Sequence, residues 1–175
     1  MTRFVAWGGA LAAVLLALAA PLAGQQTTNA GADKLEPFTL SDQNEKEHVV
    51  RLPLRRLTLF TVADKQGAQE VSGWVNPVHA LYQERVDIVG IANVSAAPRW
   101  FRGQVRRYFR RTYPHPVLLD WEGKVIKSMK AEGQAVTVLV AAPDGTIIYR
   151  AGGPATAAGM EKLLQLLHGE LEKAR

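Results

Sequence analysis

Residues 57–82 constrain this fold more than any other stretch. Leu57, Leu59 and Thr61 fall on one face of an extended chain, and Thr58, Phe60 and Val62 fall on the other. Both faces are largely apolar, which predicts a strand covered on two sides. A strand with one face in water would alternate apolar and polar residues. Asp64-Lys65-Gln66-Gly67 cannot extend the strand and serves as a turn. From Ala68, apolar residues recur at Val71, Trp74, Val75, Val78, Leu81 and Tyr82, a helical stripe. Pro77 lies inside it, removes a backbone donor and is expected to kink the helix. Strand, short polar loop and helix together open a βαβ unit.

The other segments extend this pattern. Glu36 to Leu40 begins order, Asp42 to Glu45 is turn chemistry, and His48 to Leu52 returns as a second short strand. A strand is predicted at Val86–Ile91, and a helix from Pro98 to about Arg111. Val117-Leu118-Leu119 is a short strand, after which Asp120 caps a helix burying Val125, Ile126 and Met129. Strands at Ala135–Val140 and Thr146–Tyr149 flank Pro143-Asp144-Gly145, a hairpin signal. A last helix carries Met160, Leu163, Leu164, Leu167 and Leu171. Right-handed crossovers make the early strand pairs parallel, and the hairpin adds an antiparallel pair. The prediction is an α/β fold: a mixed sheet with helices on both faces and a β-hairpin before it.

The first residues read as targeting. Phe4 to Ala20 is almost wholly apolar or small, Arg3 precedes it, and no acidic residue interrupts it. This is the layout of a secretory signal peptide over 1–24, with cleavage after Ala19 or Gly24; an uncleaved anchor is the alternative. Residues 25–35 read as a mobile linker and 36–175 as one domain, periplasmic or secreted. Loss of the leader takes the net charge from +5 to +4. The chain has no cysteine, so thiol exchange and thiolate-based peroxide reduction are excluded.

Three local patterns carry a family resemblance. Phe38-Thr39-Leu40-Ser41-Asp42, Val117 to Val125 (VLLDWEGKV) and Val136 to Ile148 (VTVLVAAPDGTII) resemble, in that order, parts of the thioredoxin-like superfamily. The branch is the peroxiredoxin and TlpA-like one, and the nearest likeness is to the YtfJ type of exported bacterial proteins. The resemblance implies a thioredoxin-like sheet across residues 36–171. Its dithiol site falls at Lys65–Ala68 when aligned from the strand, or at Gln69–Ser72 when aligned from Pro77. Its cis-proline falls near Ala135-Val136. Both the thiols and the proline are missing, so no catalytic residue is carried over.

Two groups of residues remain as candidate sites. Asp64, Lys65, Gln69, Glu70 and Ser72 form the degenerate active-site loop. They are either a polar site holding an anion at a helix N-terminus or a solvated turn capped by Asp64. Ser72 cannot replace a thiolate, because its hydroxyl is not ionised near neutral pH. Arg99, Arg102, Arg106, Arg107, Arg110 and Arg111 read as one side of a basic amphipathic helix, with Phe101, Val105, Tyr108 and Phe109 as its packed side. This face either docks on an anionic protein or membrane surface, or is a solvated face on a helix packed against the sheet. Arg106 and Arg110 are the natural pair to reverse in testing it. His48, His79, His115 and His168 lack metal-ligand spacing, and no cofactor, metal or nucleic-acid partner is assigned. Two functions follow. One is a non-catalytic binding or accessory module; the other is a redoxin-related enzyme or cofactor carrier, of antioxidant or peroxidase type, with a non-cysteine site near 64–70.

Overall fold

A computed structural model describes residues 33–173. The leader read at 1–24 lies outside the described residues, as does most of the linker read at 25–35. Residues 33–35 of that linker are tied down: the Leu35 amide donates to the Gly145 carbonyl at 2.8 Å, and the Ile147 amide to the Asp33 carbonyl at 2.9 Å. Among the described residues no helix is long and apolar enough to cross a membrane.

Strands β1 (Phe38–Ser41) and β2 (Glu47–Val50) form an antiparallel hairpin. A five-stranded sheet follows, from β3 (Thr58–Ala63), β4 (Asp87–Asn93), β5 (Val117–Asp120), β6 (Val136–Ala141) and β7 (Ile147–Gly152). Its order is β5-β4-β3-β6-β7, so the stretch that opened the sequence reading is the central strand. β3, β4 and β5 run parallel, while β6 runs antiparallel to both β3 and β7. The helices are α1 (Val71–Tyr82), α2 (Arg102–Thr112), α3 (Lys124–Ser128) and α4 (Ala157–Lys173). A single 3-10 turn at Gly67–Gln69 leads into α1.

All of β3 and β6 is buried, and the pleat divides their side chains between two cores. Leu59, Val138 and Val140 join Trp74 and Val78 of α1 and Leu163 and Leu167 of α4 on one face. Phe60, Val62, Leu139 and Ile91 join Val125, Ile126 and Met129 on the other, where the β1–β2 hairpin adds Phe38, Leu40 and Val50. Helices therefore cover both faces, as the two-sided apolarity of residues 57–62 predicts. Leu81 departs from the predicted stripe: it is 63% exposed, because α1 buries only the i, i+4, i+8 row of Trp74, Val78 and Tyr82.

Local chemistry explains the joints. Asp144 closes the β6–β7 turn by accepting the Thr146 amide at 2.9 Å, and Gly145 takes φ +86°, which favours glycine. The Asp120 carboxylate is buried and accepts amides of Glu122, Gly123, Val125 and Ile126 at 2.8–3.2 Å; the N-cap position of α3 is Gly123, so Asp120 satisfies the helix's first amides from three residues upstream instead of as the expected cap. The turn of the first hairpin covers the outer edge of β5, where Asp42 bridges Leu118 and the Val117 amide donates to Gln43 Oε1 at 2.8 Å. That cover stops an open strand edge from recruiting another chain.

Candidate functional site

The degenerate loop sits where the end of β3 meets the start of β6, at the Ala63–Val136 pair. The Asp64 amide donates to the Ala135 carbonyl at 3.0 Å. Asp64 Oδ1 accepts the Gln66 amide at 2.8 Å and the Gly67 amide at 2.9 Å. Gly67 is buried so closely that a β-carbon there would stand 1.9 Å from the Ala135 oxygen. The Ser72 hydroxyl donates to the Gln69 carbonyl at 3.3 Å. Lys65, Gln69, Glu70 and Ser72 are exposed, and Asp64 is half-buried. Asp64 thereby satisfies the Gln66 and Gly67 amides at the start of the 3-10 turn, upstream of the α1 N-terminus. An anion seated on those two amides would have to displace an internal carboxylate of the same charge.

The six arginines do not share one side of α2, and this corrects the sequence reading. No residue of α2 is buried, and none joins either core. The half-buried positions are Arg102, Val105, Arg106 and Phe109, so arginines and apolar residues face the protein together. The Arg102 guanidinium lies 4.9 Å from the centre of the Trp121 ring, and that of Arg106 lies 5.4 Å from the same ring. Arg106 also pairs with Glu45 at 3.0 Å, and Arg110 donates to the Gln43 carbonyl at 2.9 Å. Gln43 is buried; its amide nitrogen donates to the His115 carbonyl at 2.8 Å.

The physical reason is that a guanidinium is flat, weakly hydrated and attracted to an indole face, so it packs where an ammonium would not. Such contacts are worth about 0.5–2 kcal/mol each. Against them, Arg102 Nε, Arg106 Nε and Trp121 Nε1 are buried among the described residues with no hydrogen-bond partner. α2 is thus held at the periphery by stacking and polar contacts rather than by apolar burial.

The outward face of α2 is different. Gln104, Arg107, Tyr108 and Arg111 are all exposed, and their spacing places them in one row along α2; Trp100, in the 3-10 turn Arg99–Phe101 that precedes the helix, is exposed as well. Trp100 is 78% exposed and Tyr108 59% exposed. Arg107 and Arg111 form no ion pair among the described residues, and Arg99 lies exposed just before the helix. The sequence pattern alone does not single out Trp100, Gln43 or Trp121 as functional positions. The spacing of Gln104, Arg107, Tyr108 and Arg111 is readable in the sequence, but Gln43 and Trp121 act across the fold with no local signal.

Of the histidines, His48 contacts the buried Asp42 carboxylate at 2.9 Å, while His79, His115 and His168 are exposed. Among the described residues no three acidic or histidine side chains form a group able to hold a metal ion.

No protein-family model matches the sequence, and no curated protein matches it. Solved structures do. One is a Chlorobium tepidum protein assigned as thiol:disulfide interchange protein DsbE, 16% identical, at a TM-score of 0.62 over 79% of this chain and 96% of that one. An uncharacterized conserved protein of Geobacillus kaustophilus is 18% identical at a TM-score of 0.62, over 85% of each chain. The exposed lipoprotein thioredoxin Etrx1 of Streptococcus pneumoniae is 10% identical at a TM-score of 0.59, over 74% of this chain and 98% of that one. Likenesses this remote show a fold, and none of the three speaks to the narrower YtfJ type. The chain has the thioredoxin-like fold while holding no cysteine with which to run thiol chemistry on it.

Proposed function

We propose that this chain is an exported, non-catalytic binding or accessory module that meets an anionic partner through segment 98–111. One observation carries the reading: α2 belongs to neither core, yet presents Arg107 and Arg111 outward without an ion pair among the described residues. Uncompensated cations on a peripheral helix attract anions and cost the core nothing when engaged. The apolar leader read at 1–24 supports export, and the exposed lipoprotein among the matched structures agrees with it. The enzyme alternative near 64–70 has less support, because Asp64 and Ser72 are already bonded to their own loop.

The test reverses Arg107 and Arg111 to Glu. Arg106 and Arg110 are unsuitable, since they hold α2 to Glu45 and Gln43. Affinity capture from the exported fraction at low and high salt is expected to yield a salt-sensitive partner, protein or membrane, that the double variant loses while its melting temperature holds. Capture that the variant leaves unchanged ends the proposal.

A further inference from the structure

We propose that the outward row of α2, with the exposed Trp100 of the turn just before it, docks the domain on an anionic lipid surface, Trp100 at the depth of the headgroups and Arg107 and Arg111 on the lipid phosphates. This rests on the reading of segment 98–111 as a docking surface and names its partner.

The chemistry of the row fits such a surface. Trp100 and Tyr108 are the large exposed aromatics of this surface, and Trp100 packs edge-on against the 41% exposed Phe101 at 5.5 Å. A tryptophan 78% exposed to water presents apolar area that a partner would cover. Indole and phenol rings combine an apolar body with a polar tip, which suits the boundary between headgroups and acyl chains. Guanidinium groups match phosphate oxygens in a bidentate way.

Charge complementarity selects the occupant. No acidic residue occurs between Asp87 and Asp120, so the whole segment is positive. The neighbouring acids are already engaged, Glu45 with Arg106 and Glu122 with Lys124. A second copy of the chain is disfavoured, because two such rows would oppose arginine to arginine. A plane of phosphates over an apolar layer can meet the exposed cations Arg107 and Arg111 and the exposed rings of Trp100 and Tyr108 at the same time. An acidic protein would have to provide separate pockets for each. Because α2 lies outside both cores, the helix can press on a surface without disturbing either.

The test uses the purified exported form, without the leader read at 1–24, and its W100F variant with vesicles of phosphatidylglycerol and phosphatidylcholine in equal parts, or of phosphatidylcholine alone, carrying brominated acyl chains. Bromine quenches only nearby indoles, so the difference between the two proteins isolates Trp100 from the other tryptophans. Trp100-dependent quenching is expected on the anionic vesicles and not on the neutral ones. It should fade at about 0.5 M salt, where the Debye length falls below about 5 Å. R107E/R111E should weaken binding roughly tenfold or more, with an unchanged circular dichroism spectrum. No Trp100 quenching on anionic vesicles, or equal quenching on neutral ones, overturns the lipid assignment. If quenching is absent but an acidic protein is captured in a manner lost with R107E/R111E, the lipid fails and the docking surface stands. If neither depends on these arginines, both fail.

Discussion

The carbonyl oxygen of Ala135 lies 1.9 Å from the point where a β-carbon on residue 67 would stand, and its carbonyl carbon lies 2.3 Å away. Both atoms belong to backbone, so no rotamer change relieves the clash. The loop after the central strand is thereby pressed onto the segment before β6, a contact fixed again by the Asp64 amide on the same carbonyl. Gly67→Ala should lower unfolding free energy by about 2–4 kcal/mol in denaturant titration. Gly103 is the matched control: it sits in α2 with nothing within 4 Å of its absent β-carbon. Gly103→Ala should raise stability by about 0.5–1 kcal/mol. Equal effects at the two positions would remove the claim that the loop is closed.

Arg106 and Arg107 are adjacent and chemically identical, yet the structure gives them opposite roles. Arg106→Ala removes the contact with Trp121 and the pair with Glu45, and should destabilise by about 1–2 kcal/mol with a change in Trp121 fluorescence. Arg107→Ala should leave both within error. A double-mutant cycle of Arg106→Ala with Trp121→Ala should give a coupling near 1 kcal/mol. Additive single effects would mean that the stacking carries no energy.

Asp120 is a larger lever. One buried carboxylate accepts four backbone amides, and the residues it holds start the helix that supplies Val125, Ile126 and Met129 to the core. Asp120→Ala should cost about 2–4 kcal/mol, more than an ordinary exposed cap, because the freed amides of Val125 and Ile126 are buried. Asp120→Asn retains one acceptor oxygen and should recover part of the loss. Thermal melts of the three proteins rank them directly.

What was legible in the sequence follows from where the information is local. The apolar two-sidedness of residues 57–62 placed the central strand, and Pro143-Asp144-Gly145 placed the hairpin, since each pattern is contained within a few residues. The arginine helix defeats a helical-wheel reading because a charged side chain signals solvent only when nothing across the fold receives it. Arg102 and Arg106 face inward to Trp121, an aromatic ring beyond the next strand that no helical wheel includes. Gln43 is hidden in the same way: it sits some seventy residues from the backbone groups it holds, Tyr113, His115 and Val117. The closure of Gly67 on Ala135 needs the β3–β6 register, which composition does not reveal.

The pH profile should fall at both ends for separate, assignable reasons. Burial works against the charged form of Asp42, but the bonds from His48 and from the amides of Asn44 and Lys46 outweigh it and hold its pKa below the ordinary value. The unfolded chain therefore binds this proton first, and the stability from Asp42 is present above about pH 4 and lost as pH falls through the lower folded value. Burial pushes the Tyr149 hydroxyl the other way, up to about 12. Its proton donates to the Gly159 carbonyl at 3.0 Å, which favours the neutral form. Unfolded tyrosine ionises near 10, so stability is full below that pH and declines by about 2–3 kcal/mol as pH rises to 12. Tyr82 and Tyr113 are also raised by burial and add to the same limb. Tyr149→Phe should lower stability at neutral pH, where the Gly159 carbonyl loses its donor, and yet flatten the slope between pH 10 and 12. Asp42→Asn should flatten only the acid limb. Unfolding free energies measured across pH 2–12 separate the two, and a Tyr149→Phe profile parallel to wild type above pH 10 would refute the alkaline assignment.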